Sequence, residues 1–232
     1  MGLFISLSGI INKTEKEVTD ALKDYLKTVE GHLEAADIDS EHENFCVIQE
    51  AEGNTTVFYP AHFLKGNECA SFLSKALNAA VFMLDIHDGD FWWYTLFFDG
   101  EIKDQFMPIP DYFDENLSKK EIESWQGDAQ VVTEYVPGLK KEEIEKYLTR
   151  WDLEQDETKA YEDDEFTNCE WQLTDFMKKL KLAYPIDNAG TPIGNVYKFW
   201  SKDIPLTDVP VNEFVTSVKT SKTIDKPWWK FW

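Results

Sequence analysis

Apolar and polar positions mark out a succession of elements along the first half of the chain. Residues 3–11, "LFISLSGII", read as a strand. Thr14 and Glu17 then form a capping box, which opens a helix carrying Val18, Ala21, Leu22, Tyr25, Leu26 and Val29 along one stripe. "NFCVIQEAEGNTTVFYP" reads as a hairpin, two β-rich runs flanking a tight turn at Gly53-Asn54. Asn67 is placed to cap a helix that buries Leu73 and Leu77.

The stretch "AVFMLDIHDGDFWWYTLFFDGEIKDQF" follows, with two Asp-Gly pairs and dense aromatic content. If both pairs are two-residue turns, His87 faces Asp90, Asp85 faces Trp92, Phe98 faces Glu101 and Thr95 faces Asp104. One face of this meander then holds Phe82, Leu84, Ile86, Phe91, Trp93, Phe97, Ile102 and Phe106, with Thr95 and Asp104 hydrogen-bonded across it. The other face holds Asp85, His87, Asp90 and other polar groups around a stripe of Trp92, Tyr94, Leu96 and Phe98. Three uses of that mixed face fit its chemistry. Helices of the second half can cover the rings; the rings can anchor a partner inside a charged rim; or His87 with Asp85, Asp88 and Asp90 can hold a divalent cation.

Beyond Pro108 and Pro110, which end the last strand of the meander, the pattern turns helical. Ser118 with Glu121 and Thr167 with Glu170 are capping boxes, and "GDAQVVTEYVPG" is a brief helix stopped by Pro137. Ile144, Tyr147, Leu148 and Trp151 share one helical face, as do Leu173, Phe176, Met177 and Leu180. "VNEFVTSVKTSKTI" suggests one late strand before the closing "DKPWWKFW".

Charge changes the picture most. The formal net charge is −21, which repels phosphate backbones and anionic lipid, so nucleic acid and membrane are excluded as partners and a basic protein is the natural complement. Acids concentrate in residues 151–170, where Asp163, Asp164 and Glu165 form either a solvated loop or an acidic docking surface. Cys46, Cys69 and Cys169 have no metal-ligand spacing, which points to reduced thiols in a cytoplasmic protein. No nucleotide-binding glycine motif, H-E-x-x-H, or G-x-S-x-G appears, and no serine or cysteine has a recognisable base. No catalytic residue, cofactor or resident metal is therefore assigned, and the oligomeric state is left open.

Through "DGDFWWYTLFFDGEIKDQFMPIPDYF", "YLTRWDL" and "AYEDDEFTNCEWQLTDFMKKL" the chain resembles a bacterial family of acidic, Trp-rich cytosolic proteins over residues 3–183. That resemblance implies a bacterial cytosolic origin and carries no activity with it. A looser similarity in composition connects the chain to immunity proteins of bacterial toxin systems.

The expected fold is α+β: an antiparallel β meander with packed helices, followed by a mainly helical second half. Residues 1–113 form the sheet domain, 114–200 a helical region packed on it, and 201–232 a strand and aromatic tail. The expected function is a non-enzymatic protein-binding module, an immunity-like inhibitor of a basic partner. It would bind through Trp92, Tyr94, Phe98, Asp85, His87 and Asp90, together with Asp163, Asp164 and Glu165. The alternative is an enzyme, or a small-ligand or metal-binding domain, with a pocket near His87.

Overall fold

The structure, a computed structural model, describes residues 4–36, 45–60, 63–89, 91–151, 169–187 and 191–202, with 169–171 as backbone. Eight strands form one antiparallel sheet: β1 (Ile5–Ile10), β2 (His32–Ala35), β3 (Phe45–Ala51), β4 (Asn54–Phe58), β5 (Val81–His87), β6 (Phe91–Phe98), β7 (Glu101–Phe106) and β8 (Asn195–Trp200). Their order across the sheet is β2-β8-β3-β4-β1-β5-β6-β7. The described helices are α1 (Glu15–Thr28), α2 (Gly66–Leu77), α3 (Lys119–Ser124), α4 (Ala129–Tyr135), α5 (Lys141–Ile144) and α6 (Cys169–Lys179).

Both faces of the sheet are covered, and this decides how the strands read. Helices α1 and α2 enclose one core with Val18, Leu22, Tyr25, Leu73, Val81, Met83, Phe97 and Phe199. On the opposite face, α4, α6 and the segment around Tyr147 enclose a second core with Leu7, Phe82, Leu84, Trp92, Tyr94, Phe106 and Phe176. A strand buried on both sides carries apolar residues at nearly every position instead of alternating them. β5 does so from Val81 to Leu84, while β4 is buried throughout but carries the polar Asn54, Thr55 and Thr56.

The expected mainly helical second half is overturned. Its described helices span four to eleven residues, and the chain returns to the sheet as β8, inserted between β2 and β3. The helical face expected from Ile144 to Trp151 breaks after α5 into a single 3-10 turn, Glu145–Tyr147. Ile144, Tyr147 and Leu148 are buried nonetheless, and Trp151 packs against the same core. Tertiary burial has placed these side chains without a continuous helix. Thr167 and the late strand and tail expected beyond Lys202 lie outside the described residues.

Local signals hold where a side chain caps its own backbone. The Thr14–Glu17 and Ser118–Glu121 boxes are both formed. Asn67, by contrast, is not a cap: α2 starts at Gly66 after Lys65, with no side-chain cap bond. Gly66 sits so close over β5 that a Cβ there would lie 2.3 Å from Met83 Cε.

The first hairpin also turns one residue earlier than Gly53-Asn54. Glu52 and Gly53 take the left-handed conformations (φ 52° and 81°), and Ala51 pairs with Asn54. Asn54 is thereby freed for a structural task. Its amide donates to the Leu180 and Lys181 carbonyls (3.2 and 3.0 Å), and its Oδ1 accepts from Asn12 N (2.8 Å). One buried side chain thus ties the hairpin to the end of α6 and to the loop after β1. Asn54→Ala would strand these groups and is expected to lower stability by about 2 kcal/mol in urea unfolding, whereas a swap at the exposed Glu52 to Asn should be nearly neutral.

Candidate functional site

The pairing of β5 with β6 sets the site. His87 pairs with Phe91, Asp85 with Trp93 and Met83 with Thr95, so three residues, 88–90, form the connection. Asp88 and Gly89 supply its positive φ angles, 55° and 76°. This is one residue longer than the two-residue turn expected at Asp88-Gly89, and a one-residue slip exchanges the faces of a whole strand. Phe91 and Trp93 move to the face of Asp85 and His87, while Trp92 and Tyr94 join Phe82, Leu84 and Ile86.

The expected Trp92–Tyr94–Phe98 surface is accordingly not a surface. Trp92 and Tyr94 are fully buried beneath α6, with Phe176 at 5.1 and 5.4 Å between ring centroids. Trp92 Nε1 donates to Gln172 Oε1 (3.1 Å). Phe98 is half-buried against Tyr135, 5.3 Å away. The second turn, Asp99-Gly100, does set Phe98 opposite Glu101, but an irregularity after Phe97 then brings Asp104 opposite Leu96. Asp104 consequently accepts from Tyr94 Oη (2.5 Å) and from Asp128 N (3.1 Å), not from Thr95. Burial raises the Asp104 pKa, with these donors opposing the shift.

On the other face, the rows crossing β1, β5 and β6 change character towards one end. Ile10, Val81 and Phe97 form an apolar row, followed by Ser8, Met83 and Thr95, then Ser6, Asp85 and Trp93. Phe4, His87 and Phe91 come last, and there the rings cluster. His87 lies 5.0 Å from Phe4, 5.7 Å from Phe91, 5.6 Å from Tyr112 and 4.9 Å from Phe113. Trp93 joins through Phe91 (5.7 Å) and Phe113 (6.1 Å). Phe4, Tyr112 and Phe113 keep 46%, 43% and 58% of their surface in solvent, which makes this a contiguous aromatic patch and not a closed core. Asp88, Asp111, Asp114 and Glu115, adjoining these rings in sequence, are all exposed.

Asp85 lies one row inward. Its Oδ1 accepts a 2.6 Å hydrogen bond from Ser6 Oγ. Burial pushes the carboxyl up to about 7, and the Ser6 bond only partly offsets this. No family model, curated protein or solved structure matches the chain. The chemistry of the patch therefore follows from its own residues. A desolvated acid beside an imidazole and several rings suits proton exchange or the reception of a cation.

Of the expected site residues, the structure brings Asp85 and His87 together and removes Trp92, Tyr94 and Phe98 from them. Asp90, Asp163, Asp164 and Glu165 lie outside the described residues. Among the described residues no group of three or more histidines, cysteines or carboxylates could hold a metal ion. Phe4, Ser6, Phe91, Trp93, Tyr112 and Phe113 were not singled out by sequence reasoning. The one available signal was "PDYFDE", two rings flanked by acids just after a strand-ending proline.

Cys46 and Cys69 are buried free thiols in the α1–α2 core. Burial pushes Cys69 up to about 12 and raises Cys46 as well, so both are inert thiols at neutral pH. Among the described residues no helix is long and apolar enough to cross a membrane.

Proposed function

We propose that the chain is a non-enzymatic, cytoplasmic protein-binding module, an immunity-like inhibitor that docks a basic partner on the Phe4–Tyr112–Phe113 patch. The observation that supports this reading is the patch itself: three large exposed rings gathered around His87, with Tyr112 and Phe113 in contact, adjoined by carboxylates, on a chain of net charge −21. Tyrosine and other aromatic side chains anchor interfaces at low entropic cost, and surrounding acids steer a basic protein towards them. A double variant, Tyr112→Ser/Phe113→Ser, removes two anchors at exposed positions where the fold loses little.

The immobilised full chain is expected to retain a basic protein from bacterial extract at low ionic strength and to release it as salt rises. The double variant should weaken that complex at least about tenfold, or about 1.4 kcal/mol. Equal retention by variant and parent would remove the patch from the interface.

One observation favours a second reading as an acid–base enzyme. Asp85, held near pH 7, shares a strand face with His87. Turnover of a substrate lost in Asp85→Asn but kept in the Tyr112→Ser/Phe113→Ser variant would favour it over docking.

A further inference from the structure

Asp85 has no cationic partner among the described residues. Among the described residues its hydrogen-bond donor is Ser6, and neither lysine nor arginine shifts its ionisation. A desolvated carboxylate without a cation is costly to maintain, and pairing with a cation offsets part of that cost. Asp85 is also placed where a visitor can reach it. It is only partly screened from solvent, its row neighbour is Trp93, and His87 stands next along its own strand face, about 7 Å away at ordinary strand spacing. The exposed rings of Phe4 and Phe113 lie beyond, against that imidazole.

Aromatic rings beside a carboxylate form the environment that binds ammonium and guanidinium groups. The rings attract the cation by their quadrupoles, and the carboxylate supplies a charge-assisted hydrogen bond. Resting on the docking reading above, we propose that Asp85 receives a cationic side chain, a guanidinium or an ammonium, which the basic partner inserts beside Trp93 and His87. Ser6 holds Oδ1 in place, and the second carboxylate oxygen takes the incoming N–H. The acidic surface draws the partner in, and this position registers it.

The protonation state of Asp85 gives the proposal its own signature. With a carboxyl held near 7, the free protein is a mixture of acid and carboxylate at neutral pH, and only the carboxylate pairs with a cation. Binding must then expel a proton. Among the described residues the groups around Asp85 are few. β1 presents Ser6 and β6 presents Trp93, neither of which titrates. His87 follows on β5, and Asp88 lies in the next turn. Tyr112, with Asp111 and Asp114 beside it, comes from the segment after β7, and α2 begins over Met83 with Lys65 and Glu68 at its start.

The test is calorimetric titration of the full chain with oligoarginine, and in a second arm oligolysine, at physiological salt. Two buffers of different ionisation enthalpy report the protons released. Affinity for either peptide is expected to rise about tenfold from pH 6 to pH 8, with about half a proton released at pH 7. Asp85→Asn, which retains the Ser6 bond and nearly the same shape, should bind more weakly at pH 8, with a flat pH profile and no proton release. A flat profile in the parent chain, or a profile and proton release that survive in Asp85→Asn, would overturn the proposal. The Tyr112→Ser/Phe113→Ser variant separates the two readings. If it alone loses binding, docking stands and the cation position falls. If Asp85→Asn alone loses binding, the cation position stands and the docking patch must be redrawn.

Discussion

Trp92→Ala should cost about 3–5 kcal/mol of stability, enough to unfold much of the population, while Trp93→Ala should cost no more than about 1. The two tryptophans are adjacent, so composition and hydropathy cannot tell them apart. Their environments can. Trp92 is fully buried among Tyr94, Phe106 and Phe176, with ring centroids at 6.4, 5.6 and 5.1 Å. Truncation there leaves a cavity beneath α6 and removes the indole N–H that donates to Gln172 Oε1. Trp93 is half-buried at the aromatic patch and loses contacts mainly with Phe91 and Phe113. Urea unfolding of both variants checks the order. A costly Trp93 and a cheap Trp92 would mean that β6 presents the opposite face, and the candidate site would dissolve with it.

That reversal is also where sequence reasoning stops. The Thr14 and Ser118 capping boxes are legible because each is a contact between a side chain and its own backbone, complete within four residues. The Asp99-Gly100 turn is legible for a similar reason. The register of β5 on β6 is different. Alternation fixes register only when one face is oily and the other is not, and here helices cover much of both. Phe91 and Trp93 suit one core edge as well as Trp92 and Tyr94 suit the other, so a turn one residue longer leaves no mark in hydropathy. β8 was missed for a related reason. Its pairing to β2 and β3 is made across more than 140 residues of intervening chain, and no local pattern records so distant a partner. Asp85 and His87 share a face because they lie on the same strand, two residues apart. Tyr112 and Phe113 reach them only through the tertiary fold.

Asp85→Asn should make the chain more stable, and the gain should grow as pH rises. The folded protein holds this carboxyl near 7, against an ordinary value of 3.8. Between about pH 4 and pH 7 the folded state therefore binds the proton more tightly than the unfolded chain does. Stability from this group is complete below about pH 4, declines as pH climbs, and is lost once the folded carboxyl has ionised above about pH 7. At pH 8 the parent chain bears the full cost of a desolvated carboxylate, about 2–4 kcal/mol at 1.36 kcal/mol per pKa unit, reduced where solvent reaches the group. Asparagine never ionises, and its carbonyl still accepts from Ser6. Unfolding free energies from urea titration are therefore expected to be nearly equal at pH 4 and to separate by about 2–4 kcal/mol in the variant's favour at pH 8. A constant gap across that range would show that Asp85 ionises normally in the folded protein. A gain at pH 8 paired with weaker binding of cationic peptides would show that Asp85 is retained at a cost to stability, as expected of a group kept for recognition.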